Sequence, residues 1–171
     1  MQTRLALVAA ALALGALGPL GCQRDTAVPD GRAAWDALCH ALPGSWHVTY
    51  PDGAKVDVSF KLVSNGSALV ETFGRPGHET LTVYHRDGAA LLATHYCAQG
   101  NQPRLRALAG DARRPVLQLL DATDVDPGEA ELVELSFDLG DVDGNGFDRV
   151  EVYQQPDGTL ERTPAHFAPA G

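Results

Sequence analysis

The chain has 171 residues, with 13 Lys and Arg against 22 Asp and Glu and a net charge of −9 at pH 7. Its length suits one ordinary domain. Because nucleic acids and anionic lipid surfaces are bound through an excess of positive charge, the acidic balance argues against a nucleic-acid partner and against charge-driven binding to lipid.

The N-terminal segment has the organisation of an export signal. Arg4 supplies a positive charge, residues 5–17 are almost wholly Ala and Leu, and a small residue precedes Cys22. The pattern predicts a secretory signal peptide over residues 1–21, since the apolar run is shorter than the roughly 20 residues that span a bilayer. The cysteine after a small residue resembles the lipobox of bacterial lipoproteins, from which Pro19 departs. An ordinary secreted protein with an incidental cysteine is the alternative.

The lipobox resemblance implies lipidation of Cys22 and a protein anchored to a bacterial envelope membrane, with its domain in the periplasm. Several acyl chains anchor a protein far better than one. Residues 22–31 are then a polar tether, and residues 32–171 form the folded domain. In an oxidising compartment a disulfide between Cys39 and Cys97 is allowed, although the sequence does not settle whether they pair.

A short helix is predicted before a run of strands. Trp35, Leu38 and Leu42 recur at helical spacing within residues 32–42, and Pro43 ends the pattern. Ten strand-like segments separated by turn residues follow, at residues 45–50, 55–64, 67–73, 80–86, 89–97, 104–108, 116–121, 132–139, 147–153 and 159–163. This spacing predicts an all-β fold, an antiparallel meander closed into a small barrel without exposed edges.

The Asn65-Gly66 pair is a strong hairpin signal and predicts a strand register. Counting from a two-residue turn places Phe60 opposite Glu71, on one face. The apolar face, expected to point inward, consists of Val56, Val58, Phe60, Leu62, Leu69, Glu71 and Phe73. We therefore expect Glu71 inside the barrel with a cationic or hydroxyl partner, because an unpaired buried carboxylate is costly. The nearest candidate partners are Arg104, Arg106, His85, His95 and Tyr84.

The Asp87-Gly88 pair predicts a second two-residue hairpin turn, with Thr80 opposite His95 and His78 opposite Cys97. The pattern does not decide which face of this hairpin is interior. Histidine and cysteine are zinc ligands, but these spacings match no zinc signature, so no metal site is predicted. A hydrogen-bonded strand histidine is the favoured interpretation of His95.

The segment Gly44-Ser45-Trp46 follows the helix and resembles the Gly-x-Trp signature of lipocalins, in which the Trp plugs the closed end of a barrel. The resemblance implies that an Arg near the chain end, here Arg162, covers Trp46. Four further runs are similar to uncharacterised bacterial lipocalin-like (calycin-type) proteins: residues 65–71, 81–88, 94–97 and 100–104. The resemblance spans roughly residues 36–108 and implies a fold without an established activity.

Other motifs are weak. Residues 141–148 resemble the first half of a calcium loop, but Val152 stands where an EF-hand has its last Glu, so a hairpin loop is favoured. Only residue type supports haem ligation by His95 or His85. The sequence has no Gly-x-Ser-x-Gly and no phosphate-binding Gly loop, and we predict no cofactor.

The leading functional hypothesis is a membrane-tethered barrel that binds a small, mostly apolar molecule. The candidate lining residues are Glu71, Tyr84, His95 and Trp46. One alternative is an enzyme that uses Glu71 as acid or base beside a histidine. The other alternative is an envelope domain that contacts a partner protein.

Overall fold

A computed structural model describes residues 31–50, 52–107, 110–140 and 142–171. The predicted signal peptide, Cys22 and the tether before Gly31 lie outside the described residues, as does Asp141 of the calcium-like loop. No helix in the described part of the chain is long and apolar enough to cross a membrane.

The described residues form one α-helix, a short 3-10 turn (Ser64–Gly66) and a closed antiparallel barrel of ten strands. The elements are α1 (Gly31–Ala41), β1 (Gly44–Thr49), β2 (Lys55–Val63), β3 (Ala68–Phe73), β4 (Thr80–Asp87), β5 (Ala90–Tyr96), β6 (Gln102–Ala107), β7 (Val116–Thr123), β8 (Glu131–Asp138), β9 (Phe147–Gln154) and β10 (Leu160–Pro169). Consecutive strands pair, and β1 pairs with β10 to close the sheet. The predicted fold class is confirmed, although β10 continues well past its predicted end.

The register of the β2–β3 hairpin is the predicted one. Phe60 lies opposite Glu71, and both side chains are buried. The connecting turn uses the left-handed region at Asn65 (φ 55°) and Gly66 (φ 78°), where these residue types are favoured. The inward assignment fails at Leu62, which is 37% exposed because it lies beside the turn, at the end of the hairpin.

The register of the β4–β5 hairpin differs from the prediction. Thr82 lies opposite His95, and Asp87 pairs with Ala90. The turn is therefore Gly88-Ala89, with Gly88 (φ 59°) at its first central position, where a type II′ turn favours glycine.

The shift also displaces the partners that were predicted for two histidines. Two predicted pairs are therefore wrong, namely Thr80 with His95 and His78 with Cys97. Because the shift is two residues, each side chain keeps its face. Tyr84 and His95 are buried, which identifies the interior face.

Helix α1 covers one end of the barrel, called here the closed end. Its first residue, Gly31, donates its N–H to Ala89 O at 2.7 Å, and a Cβ at Gly31 would lie 2.5 Å from Leu91 N. Only glycine allows this approach of helix to hairpin. Trp35 and Leu38 on the inner face of the helix are buried.

Aromatic rings fill the interior beside the helix. Trp46 donates its Nε1–H to Leu42 O at 2.8 Å and meets the Phe147 ring edge-on at 4.9 Å. Phe147 in turn stacks on Phe167 at 4.4 Å. Trp46 is thus buried without the arginine cover that the lipocalin resemblance implies. Arg162 is instead 60% exposed and pairs with Glu134.

Candidate functional site

A cavity of about 230 Å³ lies at the opposite end of the barrel, the open end, where β1–β2, β3–β4, β5–β6, β7–β8 and β9–β10 are connected. Charged, polar and apolar side chains share its wall. The lining residues are Glu71, Phe73, Thr80, Thr82, His95, Cys97, Ala98, Gln99, Leu132, Leu135, Arg149, Glu151 and Tyr153.

A buried ion cluster forms the inner wall of this cavity. Arg149 Nη1 donates to Glu71 Oε1 at 2.5 Å, and Nη2 donates to Glu151 Oε1 at 2.6 Å. The Tyr84 hydroxyl donates to Glu71 Oε2 at 2.7 Å. Glu71 is 2% exposed and Arg149 3%. The prediction that Glu71 points inward to a cationic or hydroxyl partner is confirmed.

The cluster holds two carboxylates for one guanidinium. Burial lowers the pKa of Arg149, but the adjacent Glu71 and Glu151 more than reverse this and hold it above its ordinary value. The cation also lies over the Phe167 ring, 4.6 Å from its centroid. Burial raises the pKa of Glu151 despite the opposing effect of Arg149. The guanidinium thus stays charged and only partly compensates the two acids.

His95 is a neutral group in the same wall. It is 8% exposed, and its Nδ1 lies 2.9 Å from Thr82 Oγ1. Burial lowers its pKa from 6.5 to about 4. Two buried nitrogens, His95 Nε2 and Arg149 Nε, have no hydrogen-bond partner among the described residues. Buried polar groups are usually hydrogen-bonded, so both are unusual.

Aromatic side chains lie towards the open end. Phe73 and Tyr153 line the cavity, and the Tyr50 ring meets Phe73 edge-on at 6.4 Å. Burial raises the pKa of Tyr153, and burial together with Glu151 raises that of Tyr50 to about 12. Both phenols therefore remain uncharged at neutral pH.

The four predicted lining residues take three different places. Glu71 and His95 line the cavity. Tyr84 is fully buried and is connected to the site by the hydrogen bond that its hydroxyl donates to Glu71. Trp46 belongs to the aromatic packing of the closed end, because the Gly-x-Trp segment begins β1 beside the helix.

Sequence analysis missed the two β9 members of the cluster. Phe147, Arg149 and Glu151 alternate along β9, so they share one strand face. That alternation was an available signal, since an arginine on the same face as a core phenylalanine needs a buried acid.

The other sequence candidates do not meet in one place. His78 is exposed, whereas His95 is buried, and Cys39 and Cys97 are both free thiols. Across the described ranges, no group of three or more His, Cys, Asp and Glu side chains is placed to hold a metal ion. Residues 142–146 lie in the loop between the paired strands β8 and β9, as the hairpin-loop interpretation predicted.

Comparison with protein-family models and with curated proteins finds no match to this chain. The lipocalin-like resemblance therefore rests on the sequence segments quoted above.

Proposed function

We propose that this protein binds a small molecule in the cavity at the open end. The observation that carries the proposal is the pair of buried nitrogens without partners, His95 Nε2 and Arg149 Nε, on side chains that line the cavity. A buried polar atom left without a hydrogen bond is destabilising by about 1–3 kcal/mol. A ligand that supplies the missing bonds removes that penalty.

The ligand that fits is small and partly polar. The cavity of about 230 Å³ is below the range of about 300–1,000 Å³ that is usual for drug-sized ligands. A mostly apolar molecule, as the sequence analysis expected, would leave the polar wall of His95, Glu151 and Arg149 without partners. Leu132 and Leu135 offer an apolar surface to the carbon part of the ligand.

The geometry does not support an enzyme that uses Glu71 as acid or base. Both of its oxygens are already engaged, one by Arg149 and one by the Tyr84 hydroxyl. A general base needs an oxygen that is free to take the proton of a substrate. In this cluster Glu71 is a fixed structural anion.

Native mass spectrometry of the protein purified from its source tests the binding proposal. We expect a co-purified small molecule that Thr80→Trp, which narrows the cavity, removes. Leu160→Trp is the matched control, because Leu160 is an exposed residue at the start of β10. A wild-type spectrum without any adduct, unchanged by Thr80→Trp, would contradict the proposal.

We also propose that the domain is tethered to an envelope membrane by a lipid on Cys22, as the pattern of residues 1–21 suggests. Cells fed radiolabelled palmitate should label the wild-type protein and Cys39→Ser. They should not label Cys22→Ser, which should leave the membrane fraction. Label retained on Cys22→Ser would refute the anchor.

A further inference from the structure

The charges that line the open-end cavity do not balance. Glu71 and Glu151 are acids, and Arg149 is the single Lys or Arg in the described lining. His95 is neutral near pH 7, because burial lowers its pKa to about 4. With both carboxylates ionised, the wall carries one more negative than positive charge. An uncompensated buried charge is unfavourable, so a cation placed in the cavity would be stabilised by the wall.

Glu151 is the acid that a ligand can reach. Its side chain is 21% exposed, whereas Glu71 is 2% exposed and both of its oxygens already accept hydrogen bonds, from Arg149 and Tyr84. Glu151 Oε1 accepts from Arg149 Nη2, and no other side chain of the described cavity lining donates to this carboxylate. Its second oxygen is thus available to a donor inside the cavity.

The surroundings of Glu151 suit a cation that carries carbon. Phe73 and Tyr153 line the cavity with aromatic rings, whose faces attract ammonium groups. In the tautomer with its hydrogen on Nδ1, His95 donates to Thr82 Oγ1 and leaves Nε2 as an acceptor. An ammonium N–H can satisfy that acceptor.

We infer that the ligand is a small organic amine in its ammonium form, bound with its charge against Glu151 and its carbon chain against Leu132 and Leu135. This inference rests on the proposed binding function. An anion fits poorly, because both Nη groups of Arg149 already donate to carboxylates and only its Nε is left to donate to a ligand.

Titration of the purified full-length protein with matched probes tests the charge preference. The probes are butylammonium, 1-butanol and butyrate, followed by NMR chemical shifts of the backbone amides. We expect butylammonium to bind at least about tenfold more tightly than either of the others, as a charge-assisted hydrogen bond provides. Equal or tighter binding of 1-butanol or butyrate overturns the inference, as does binding of sodium or calcium ions alone.

If none of the three probes binds, the amine inference fails. The co-purified molecule in native mass spectrometry then decides separately whether the binding function survives.

Glu151→Gln isolates the role of the charge. Glutamine keeps an oxygen that can accept from Arg149, so we expect the fold to persist, as circular dichroism can verify. Butylammonium affinity should fall at least about tenfold while 1-butanol affinity stays unchanged. Glu161→Gln makes the same charge change on the exposed part of β10 and should alter neither. Unchanged butylammonium affinity in Glu151→Gln overturns the inference, and the probe comparison on wild-type protein remains decisive if the variant misfolds.

Discussion

Aromatic rings fill the interior at the closed end, whereas a cluster of charged side chains lines it at the open end. Strand β9 serves both ends: Phe147 stacks on Phe167 at 4.4 Å, and Arg149, two residues later, bonds Glu71 at 2.5 Å. The same strand face therefore changes from apolar packing to an ion cluster over about 7 Å of chain.

The two kinds of interior contribute differently to the protein. Burial of apolar surface stabilises the fold without demanding a particular partner. A buried ion cluster gains little net stability, because desolvation opposes the attraction between its charges. The closed end is thus expected to supply most of the stability. The open end has a less favourable interior, because its buried charges surround a cavity.

Phe147→Ala should give the largest loss of stability. The ring contacts Trp46, Phe60 and Phe167, so these large neighbours cannot easily collapse into the space it leaves. We expect the free energy of unfolding to fall by about 4–5 kcal/mol, measured by urea denaturation. Leu160→Ala, at an exposed apolar residue, should change it by less than about 0.5 kcal/mol. A loss below about 2 kcal/mol for Phe147→Ala would mean that the rings do not dominate the closed end.

Glu71→Leu should be the next most damaging change. It leaves Arg149 with one carboxylate and the Tyr84 hydroxyl with no acceptor, at a cost of about 3–4 kcal/mol. Glu71→Gln keeps an acceptor and should lose only about 1–2 kcal/mol. Urea denaturation of both variants measures the difference.

A double variant provides the control for this cluster. Combining Glu71→Leu with Arg149→Met removes both charges, so it should destabilise by less than the sum of the single changes. Strict additivity, or a Glu71→Leu variant as stable as Glu71→Gln, would show that the ion pair is energetically unimportant.

Local sequence was enough to place Glu71 in the barrel. The Asn65-Gly66 turn sets the pairing of Phe60 with Glu71, and one apolar face decides the direction. The second hairpin was paired wrongly, because Gly88 takes the first central turn position instead of the second. His95 nevertheless shares a face with Thr82 and Tyr84, as predicted, since an error of two residues preserves alternation; which face is interior was not predicted.

Tyr84, the hydroxyl partner of Glu71, was among the predicted candidates. The cationic partner could not be found from local pattern. Arg149 is 78 residues further along the chain, and the two meet only because the barrel closes and brings β9 across from β3. Contacts across a barrel depend on strand number and stagger, which a single sequence does not fix. For the same reason Trp46 was assigned to the cavity, although it packs at the closed end.

His95→Gln should change how stability depends on pH. The native pKa of about 4 lies below the ordinary 6.5, so the unfolded chain takes up a proton first as the pH falls. Stability from this group is complete above pH 6.5 and is lost between pH 6.5 and about 4, by about 3 kcal/mol. The glutamine variant lacks this loss.

Urea denaturation at several pH values from 7.5 to 4 measures the effect. His78→Gln, at an exposed histidine, is the control and should follow the wild-type profile. Parallel profiles for His95→Gln and wild type would show that His95 is not held neutral by the cavity wall.

Gln99→Ala should have the smallest effect and should act only at the open end. The Gln99 side chain ties the β5–β6 loop to the β7–β8 loop: its Nε2 donates to Ala130 O at 3.3 Å, and its Oε1 accepts from Ala130 N at 3.1 Å. Both bonds are solvent-exposed, so water replaces them, and the free energy of unfolding should fall by less than about 1 kcal/mol. Because Gln99 also lines the cavity, the tie lies where a ligand would pass.

Hydrogen exchange at the Ala130 amide should become faster in this variant, while amides of the closed end keep their protection. Gln118→Ala, at an exposed β7 residue, is the control and should leave the Ala130 amide unchanged. An Ala130 amide that exchanges equally slowly without Gln99 would show that other contacts between the two loops, such as the Asn101 side chain that donates to Ala130 O and Glu129, hold the open end together.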